Sequence, residues 1–208
     1  MLTFALSKGR LADKIFKMLK ELNLVDITID EEDRRLIIEQ GEFRFFLAKP
    51  SDVPTFVDNG VADLGVVGKD TIIEEHRDIA ELLDLGFGKC RMCVCAPKED
   101  GDSYKNIVNL RVATKYPNIA KAYFDSMGQN TTIIKLNGSV ELAPITGLSD
   151  CIVDIVESGR TLRENGLQDV TTIHDLSARL VANPASLKTK YDEISAVVEG
   201  FRAILKEK

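Results

Sequence analysis

The chain has 208 residues, 44% of them hydrophobic, enough for one large domain or two small lobes with real cores. Acidic residues outnumber basic ones by 33 to 27, giving a net charge of −6. That excludes a general nucleic-acid surface, so any anionic ligand must be met by local basic residues. No apolar run is long enough to span a membrane, and the N-terminal charges follow a very short apolar run, the reverse of a secretory signal; the chain reads as cytoplasmic.

Strands and helices alternate along the chain, the pattern of an α/β fold. Leu2–Leu6 reads as a short apolar strand, followed by the loop Ser7-Lys8-Gly9-Arg10 and a helix near Leu11–Leu22. The carboxyl edge of an α/β sheet is its usual ligand edge, which makes Lys8 and Arg10 candidate anion contacts. Arg34 and Arg35 precede an expected hairpin, strands Leu36–Glu39 and Phe43–Ala48 around Gln40-Gly41. An arginine can grip a phosphate with two parallel bonds. A helix over Val53–Asn59, a buried strand Asp63–Val67, a helix after Gly68-Lys69-Asp70, and strands Leu82–Leu85 and Arg91–Ala96 follow. Asp84 stands just before Gly86-Phe87-Gly88, read as a hinge. Cys90, Cys93 and Cys95 cluster in sequence, but only His76 and His174 exist and no second Cys/His pair sits at zinc spacing. They read as buried strand thiols rather than a metal site, and no Ser-His-Asp or Cys-His catalyst is supported. Strand Arg111–Thr114 leads to Lys115 and Tyr116 at another carboxyl end, then come helix Asn118–Met127 and strand Thr131–Leu136.

Residues 141–167 carry the most chemistry. Pro144 ends what precedes it, Thr146 and Gly147 form a turn, and Ser149 or Asp150 stands where a helix cap would. Leu148, Ile152, Ile155 and Val156 recur at i, i+4, i+7 and i+8, so an amphipathic helix is expected, closed by Gly159. Free backbone N–H groups at such a helix start form an anion site, with phosphate the usual guest. Asp150 and Asp154 would share a second face, and carboxylates beside a phosphate suit ribose hydroxyls or a magnesium shell. The pattern suggests a phosphorylated sugar. Ser51-Asp52, helix, Gly60 echoes this order, so two lobes of similar design are expected, with the ligand in the interlobe cleft. Crossings are expected near residues 86–90 and 176–180. Val170–Asp175 and Ala178–Asn183 read as strands, and Tyr191–Leu205 as a terminal helix.

Five segments together carry a family resemblance. They are Ala5-Leu-Ser-Lys-Gly-Arg10, Asp63-Leu-Gly-Val-Val-Gly-Lys-Asp70, Ala113-Thr-Lys-Tyr-Pro117, Leu136-Asn-Gly-Ser-Val-Glu-Leu-Ala-Pro144, and Gly147-Leu-Ser-Asp-Cys-Ile-Val-Asp154 running on through Thr161-Leu-Arg-Glu-Asn-Gly-Leu167. In this order they resemble the ATP phosphoribosyltransferases that open histidine biosynthesis, from residue 2 to about residue 185. The resemblance implies a two-lobed α/β fold like the type II periplasmic binding proteins. Lobe I would comprise residues 1–88 plus 179–208, on the nucleotide side, and lobe II residues 89–178. It implies transfer of the 5-phosphoribosyl group of phosphoribosyl pyrophosphate to N1 of ATP, with release of pyrophosphate and a requirement for Mg2+. The usual phosphoribosyltransferase signature, a hydrophobic strand ending in paired acids and Thr-Thr-Gly, is absent, so the phosphate site must be of this family's own kind.

Carried over by motif, Thr146, Gly147, Leu148, Ser149 and Asp150 would cradle the 5-phosphate, largely through backbone N–H groups. Glu141 and Asp154 would face the ribose hydroxyls with Thr161 nearby. Arg10 and Arg34 would hold ATP phosphates or the leaving pyrophosphate, with Lys8, Gly9 and Asp84 in the nucleotide pocket. The chain also resembles the family's short form, which lacks the long form's C-terminal regulatory domain. Short forms work with a regulatory subunit resembling histidyl-tRNA synthetase, in a hetero-octamer of four plus four chains. A solute-binding module of the same architecture is the alternative; the missing export signal and the placement of Arg10 and Arg34 speak against it. An effector domain of a DNA regulator is disfavoured by the acidic charge and the lack of a helix-turn-helix segment.

Overall fold

The computed structural model describes residues 1–29 and 34–206; residues 207 and 208 of the expected first lobe lie outside the described residues. In chain order the elements begin β1 (Leu2–Ser7), α1 (Arg10–Glu21), β2 (Ile37–Gln40), β3 (Phe43–Ala48), α2 (Val53–Asp58), β4 (Leu64–Gly68), α3 (Lys69–Glu75) and β5 (Ala80–Asp84). They continue with β6 (Cys90–Pro97), β7 (Leu110–Thr114), α4 (Pro117–Ser126), β8 (Thr131–Lys135), α5 (Leu142–Ile145), β9 (Cys151–Val156) and α6 (Arg160–Glu164). The last are β10 (Leu167–Leu176), β11 (Ala178–Ala182), α7 (Pro184–Thr189) and α8 (Tyr191–Lys206). They divide into two compact units, Met1–Gly88 with Ser177–Lys208, and Lys89–Leu176.

The first unit holds a sheet of order β2-β3-β1-β4-β11-β5. β1 is buried along its whole length and runs parallel to β3 and β4 on either side, as expected of an unbroken apolar run. One face packs under α1 and α8, with Ile15, Phe16, Leu19, Val197 and Phe201 against Phe4 and Phe45. Phe16 meets Phe45 edge-on at 4.9 Å between centroids. On the other face α2 lies so close to β4 that a Cβ on Gly65 would come within 2.7 Å of a Val57 methyl, so glycine is required there. Asp63, just before β4, is buried and accepts from the Thr3 N–H at 2.9 Å, Ser186 Oγ at 2.7 Å and Lys190 Nζ at 2.7 Å. Burial works to raise its pKa, but the bonds from Lys190, Ser186 and Thr3 outweigh it and hold the carboxyl below its usual value.

The second unit holds a sheet of order β10-β6-β9-β7-β8. β7, β8 and β9 are mutually parallel and β6 is antiparallel to β9. The expected amphipathic helix after Ser149 is instead the central strand β9. Ile152, Val153, Ile155 and Val156 are β-branched, lose rotamer freedom in a helix and suit a pleated surface. With a strand on each side, β9 takes apolar residues at both faces, which also satisfies helical spacing. Gly159 does not close a helix; it opens α6 in the left-handed region, at φ 68°. The echo with Ser51-Asp52 therefore fails, because a helix follows one pair and a strand the other. Ile152 and Val156 pack with Cys93, Cys95 and Ala113 beneath Val140, Ala143 and Leu162. All four cysteines are free thiols; Cys93, Cys95 and Cys151 are buried, and burial pushes the Cys151 thiol up to about 12.

Candidate active site

In the second unit, parallel β7, β8 and β9 bring their carboxyl ends to one edge, where Lys115 follows β7 and Glu157 follows β9. Asp154 lies toward this end of β9. Burial raises its carboxyl to about 6; the Ile155 N–H, bonded to Oδ1 at 2.8 Å, pulls the other way, Glu141 pushes it up further, and Lys115 draws it down. Glu141 and Asp154, each partly buried, lie close enough for one charge to act on the other, and we call them the acid pair. Two acceptor-only groups so placed suit a ligand that offers hydroxyl donors.

β9 then leads through Glu157-Ser158-Gly159 into α6. The Arg163 guanidinium donates to the Ser158 carbonyl at 3.1 Å, and Arg163 N–H to the Gly159 carbonyl, fixing the turn. Among the described residues no hydrogen bond engages the backbone N–H of Gly159, Thr161 or Leu162. Thr161 is exposed there. Thr161, expected near the ribose, stands in this turn, and Gly159, expected to close a helix, opens α6 instead. A β-branched run meeting Ser-Gly and then Thr is the local signal of a strand ending in such a turn.

At 146–150, the expected phosphate cradle, the local structure differs from the helix start that was assumed. These residues start no helix, and their N–H groups are all taken: Thr146 by Leu142, Gly147 by Pro144, Leu148 and Ser149 by Ala143, and Asp150 by Arg111. Arg111 grips the segment, donating to Asp150 Oδ1 at 2.6 Å and to the Gly147 carbonyl at 2.8 Å. Its side-chain bond holds the Asp150 carboxyl below the usual range. The loop enters β9 beside the amino end of β7, whereas the acid pair faces the carboxyl end. Asp150 and Asp154 share no helix face; four strand steps separate them by about 13 Å.

In the first unit, Lys8, Gly9 and Arg10 form one exposed turn from the carboxyl end of β1 into α1. Gly9 takes φ 95°, and no side chain caps the helix. Parallel strands β3 and β4, on either side of β1, are each followed at once by a lysine, Lys49 and Lys69. Lys69 is ion-paired with Glu81. Arg34 stands exposed in the coil ahead of β2. Asp84 accepts from the Gly86 N–H at 2.9 Å and Ser177 Oγ at 2.7 Å and pairs with Arg179 at 3.1 Å, so a nucleotide would share this carboxylate with three donors. Among the described residues, no three His, Cys, Asp or Glu side chains converge as a metal cage, and no helix is long and apolar enough to cross a membrane.

A family model described as ATP phosphoribosyltransferase (HisG) matches residues 49–203. The chain is 53% identical to an ATP phosphoribosyltransferase of Caldicellulosiruptor bescii over 100% of both chains. It is 52% identical to one of Clostridioides difficile over 98% of each. Among solved structures it is similar to a chain of the ATP phosphoribosyl transferase (HisG:HisZ) complex from Thermotoga maritima, with TM-score 0.86, 36% identity and 100% of both chains covered. The BvgS VFT2 domain of Bordetella pertussis matches with TM-score 0.58 at 10% identity, covering 96% of this chain and 92% of that one; this likeness concerns the two-lobed, periplasmic-binding-protein-like fold alone.

Proposed function

Because the chain belongs to the ATP phosphoribosyltransferase family, enzymes of the first step of histidine biosynthesis, we propose that its second unit holds phosphoribosyl pyrophosphate and its first unit meets ATP. The observation that carries this reading is the Glu141–Asp154 acid pair at the same sheet edge as the unengaged N–H groups of Gly159, Thr161 and Leu162. The carboxylates accept from the ribose hydroxyls, and the turn receives the 5-phosphate. This moves the phosphate from residues 146–150 to residues 157–162 and gives Thr161 to it, while Glu141 and Asp154 keep the roles that the resemblance implies. Lys8, Gly9, Arg10 and Arg34 face polyphosphate, with Lys49 and Lys69 on the same edge as Lys8.

In the reaction, adenine N1 forms the new bond to C1 of the ribose as the C1–O bond breaks and pyrophosphate leaves with the electron pair. N1 already carries a lone pair, so no general base is needed. The residues contribute by aligning the two substrates and by placing positive charge at the leaving group. Glu141 and Asp154 are the carboxylates on this edge that would hold a magnesium ion arriving with the donor. When bound there, magnesium would neutralise the departing pyrophosphate.

The full-length likeness to a chain of a HisG:HisZ complex supports a separate regulatory partner of the HisZ type. We place the chain with that partner in a hetero-octamer of four plus four. The test is pyrophosphate release from the purified chain with ATP, phosphoribosyl pyrophosphate and magnesium, with and without the partner. Release that needs both substrates and rises with the partner is expected. Tight binding of one substrate with no release in either condition would instead mark a solute-binding module.

A further inference from the structure

Thr114, the last residue of β7, is fully buried, and its hydroxyl is engaged twice. It donates to the Val153 carbonyl on β9 at 2.6 Å and accepts from the Tyr116 N–H at 2.8 Å. The Thr114 carbonyl meanwhile accepts from the Leu136 N–H at 2.9 Å, at the exit of β8. One residue therefore joins the carboxyl ends of three parallel strands. Valine would fill the same volume and favour a strand at least as well, so packing and propensity do not explain the hydroxyl. The bond to Tyr116 spans two residues and turns the chain sharply after β7, with exposed Lys115 at the corner. In the parallel register Thr114 lies beside Val153, so the next residues on the two strands are Lys115 and Asp154.

We infer that Thr114 is a positioning residue for the phosphoribosyl donor: its hydroxyl bridges β9 to the turn into α4 and so fixes Lys115 beside the acid pair. There the ammonium meets the donor's phosphate oxygens while Glu141 and Asp154 accept from its ribose. The influence of Lys115 on the Asp154 carboxyl agrees with that placement. Lys115 touches the donor, and Thr114 acts only through it. The inference rests on the assignment of the donor to the second unit.

The test is steady-state pyrophosphate release by the chain with its partner, for Thr114→Val, Thr114→Ser, Lys115→Met and the Val/Met double variant, with thermal melts as a folding control. Thr114→Val raises the KM for phosphoribosyl pyrophosphate about tenfold, the scale of a lost buried hydrogen bond, and leaves the KM for ATP within about twofold. Thr114→Ser restores the donor KM. In the Lys115→Met background, Thr114→Val adds nothing, because the group it positions is already gone. Full additivity of the two losses, or an equal rise in both KM values, would overturn the inference. Should Thr114→Val fail to fold, an unchanged donor KM in Lys115→Met would overturn it alone. Absence of donor-dependent release from the unaltered chain would refute the functional reading first, and the inference with it.

Discussion

At Asp154, burial and the neighbouring Glu141 hold a carboxyl near 6, although the proposed acceptance from ribose hydroxyls needs it ionised. The unfolded value is near 3.8, so between about pH 4 and 6 the folded chain binds more protons than the unfolded chain, and stability falls as pH rises through that window. Above it, the ionised group costs about 2–3 kcal/mol. Asp154→Asn removes that cost and keeps an oxygen for the Ile155 N–H, so it should melt higher than the parent at pH 7 and no higher at pH 4. The same change puts an amide donor where a hydroxyl must donate, so calorimetry should find donor binding lost. A variant that binds normally, or melts lower at pH 7, would contradict this account of the residue. Asp150 differs because Arg111 already neutralises it, a partner 39 residues away that nothing in its own sequence neighbourhood reveals.

At the level of elements, the turn after β9 depends on Gly159. An L-residue at φ 68° costs about 1–2 kcal/mol, and a Cβ there would stand 3.1 Å from the Arg163 guanidinium that braces the turn. Gly159→Ala should therefore lower kcat/KM for the donor by about tenfold while the KM for ATP holds, read from initial rates. The alternation of strands and helices, both long helices and most strands were legible because each follows one period and meets one core. β9 was not, because its apolar positions fit two periods at once. What decides is the strand on each side, a tertiary fact; the β-branched content was the local clue. With β9 misread, the expected anion site landed at its start, where every N–H is taken, and not at its end, where we propose it. Glu141 and Asp154 were legible as acids of one motif, but their approach required knowing that α5 and β9 pack together.

Across the whole molecule, the first unit is closed by a chain that leaves at Gly88 and returns at Ser177. Asp63 fastens that return, joining Thr3 in β1 to Ser186 in α7 and to Lys190, over separations of 60 to 127 residues. Its folded pKa is depressed, so the stability it supplies is present above the unfolded value near 3.8 and is lost as pH falls through the folded one. Asp63→Asn should lower stability by about 2–4 kcal/mol, since it strands the Lys190 ammonium, and the difference from the parent should shrink in acid. Denaturant melts at neutral and acid pH check this; equal stability at neutral pH would count against the role.

We place the donor phosphate at the carboxyl end of β9. The most direct measurement is a crystal structure of the chain with its partner, magnesium and phosphoribosyl pyrophosphate. The 5-phosphate is expected on the N–H groups of Gly159, Thr161 and Leu162, with the ribose hydroxyls on Glu141 and Asp154. A phosphate seated instead on residues 146–150, with Arg111 released from Asp150 to receive it, would contradict the account.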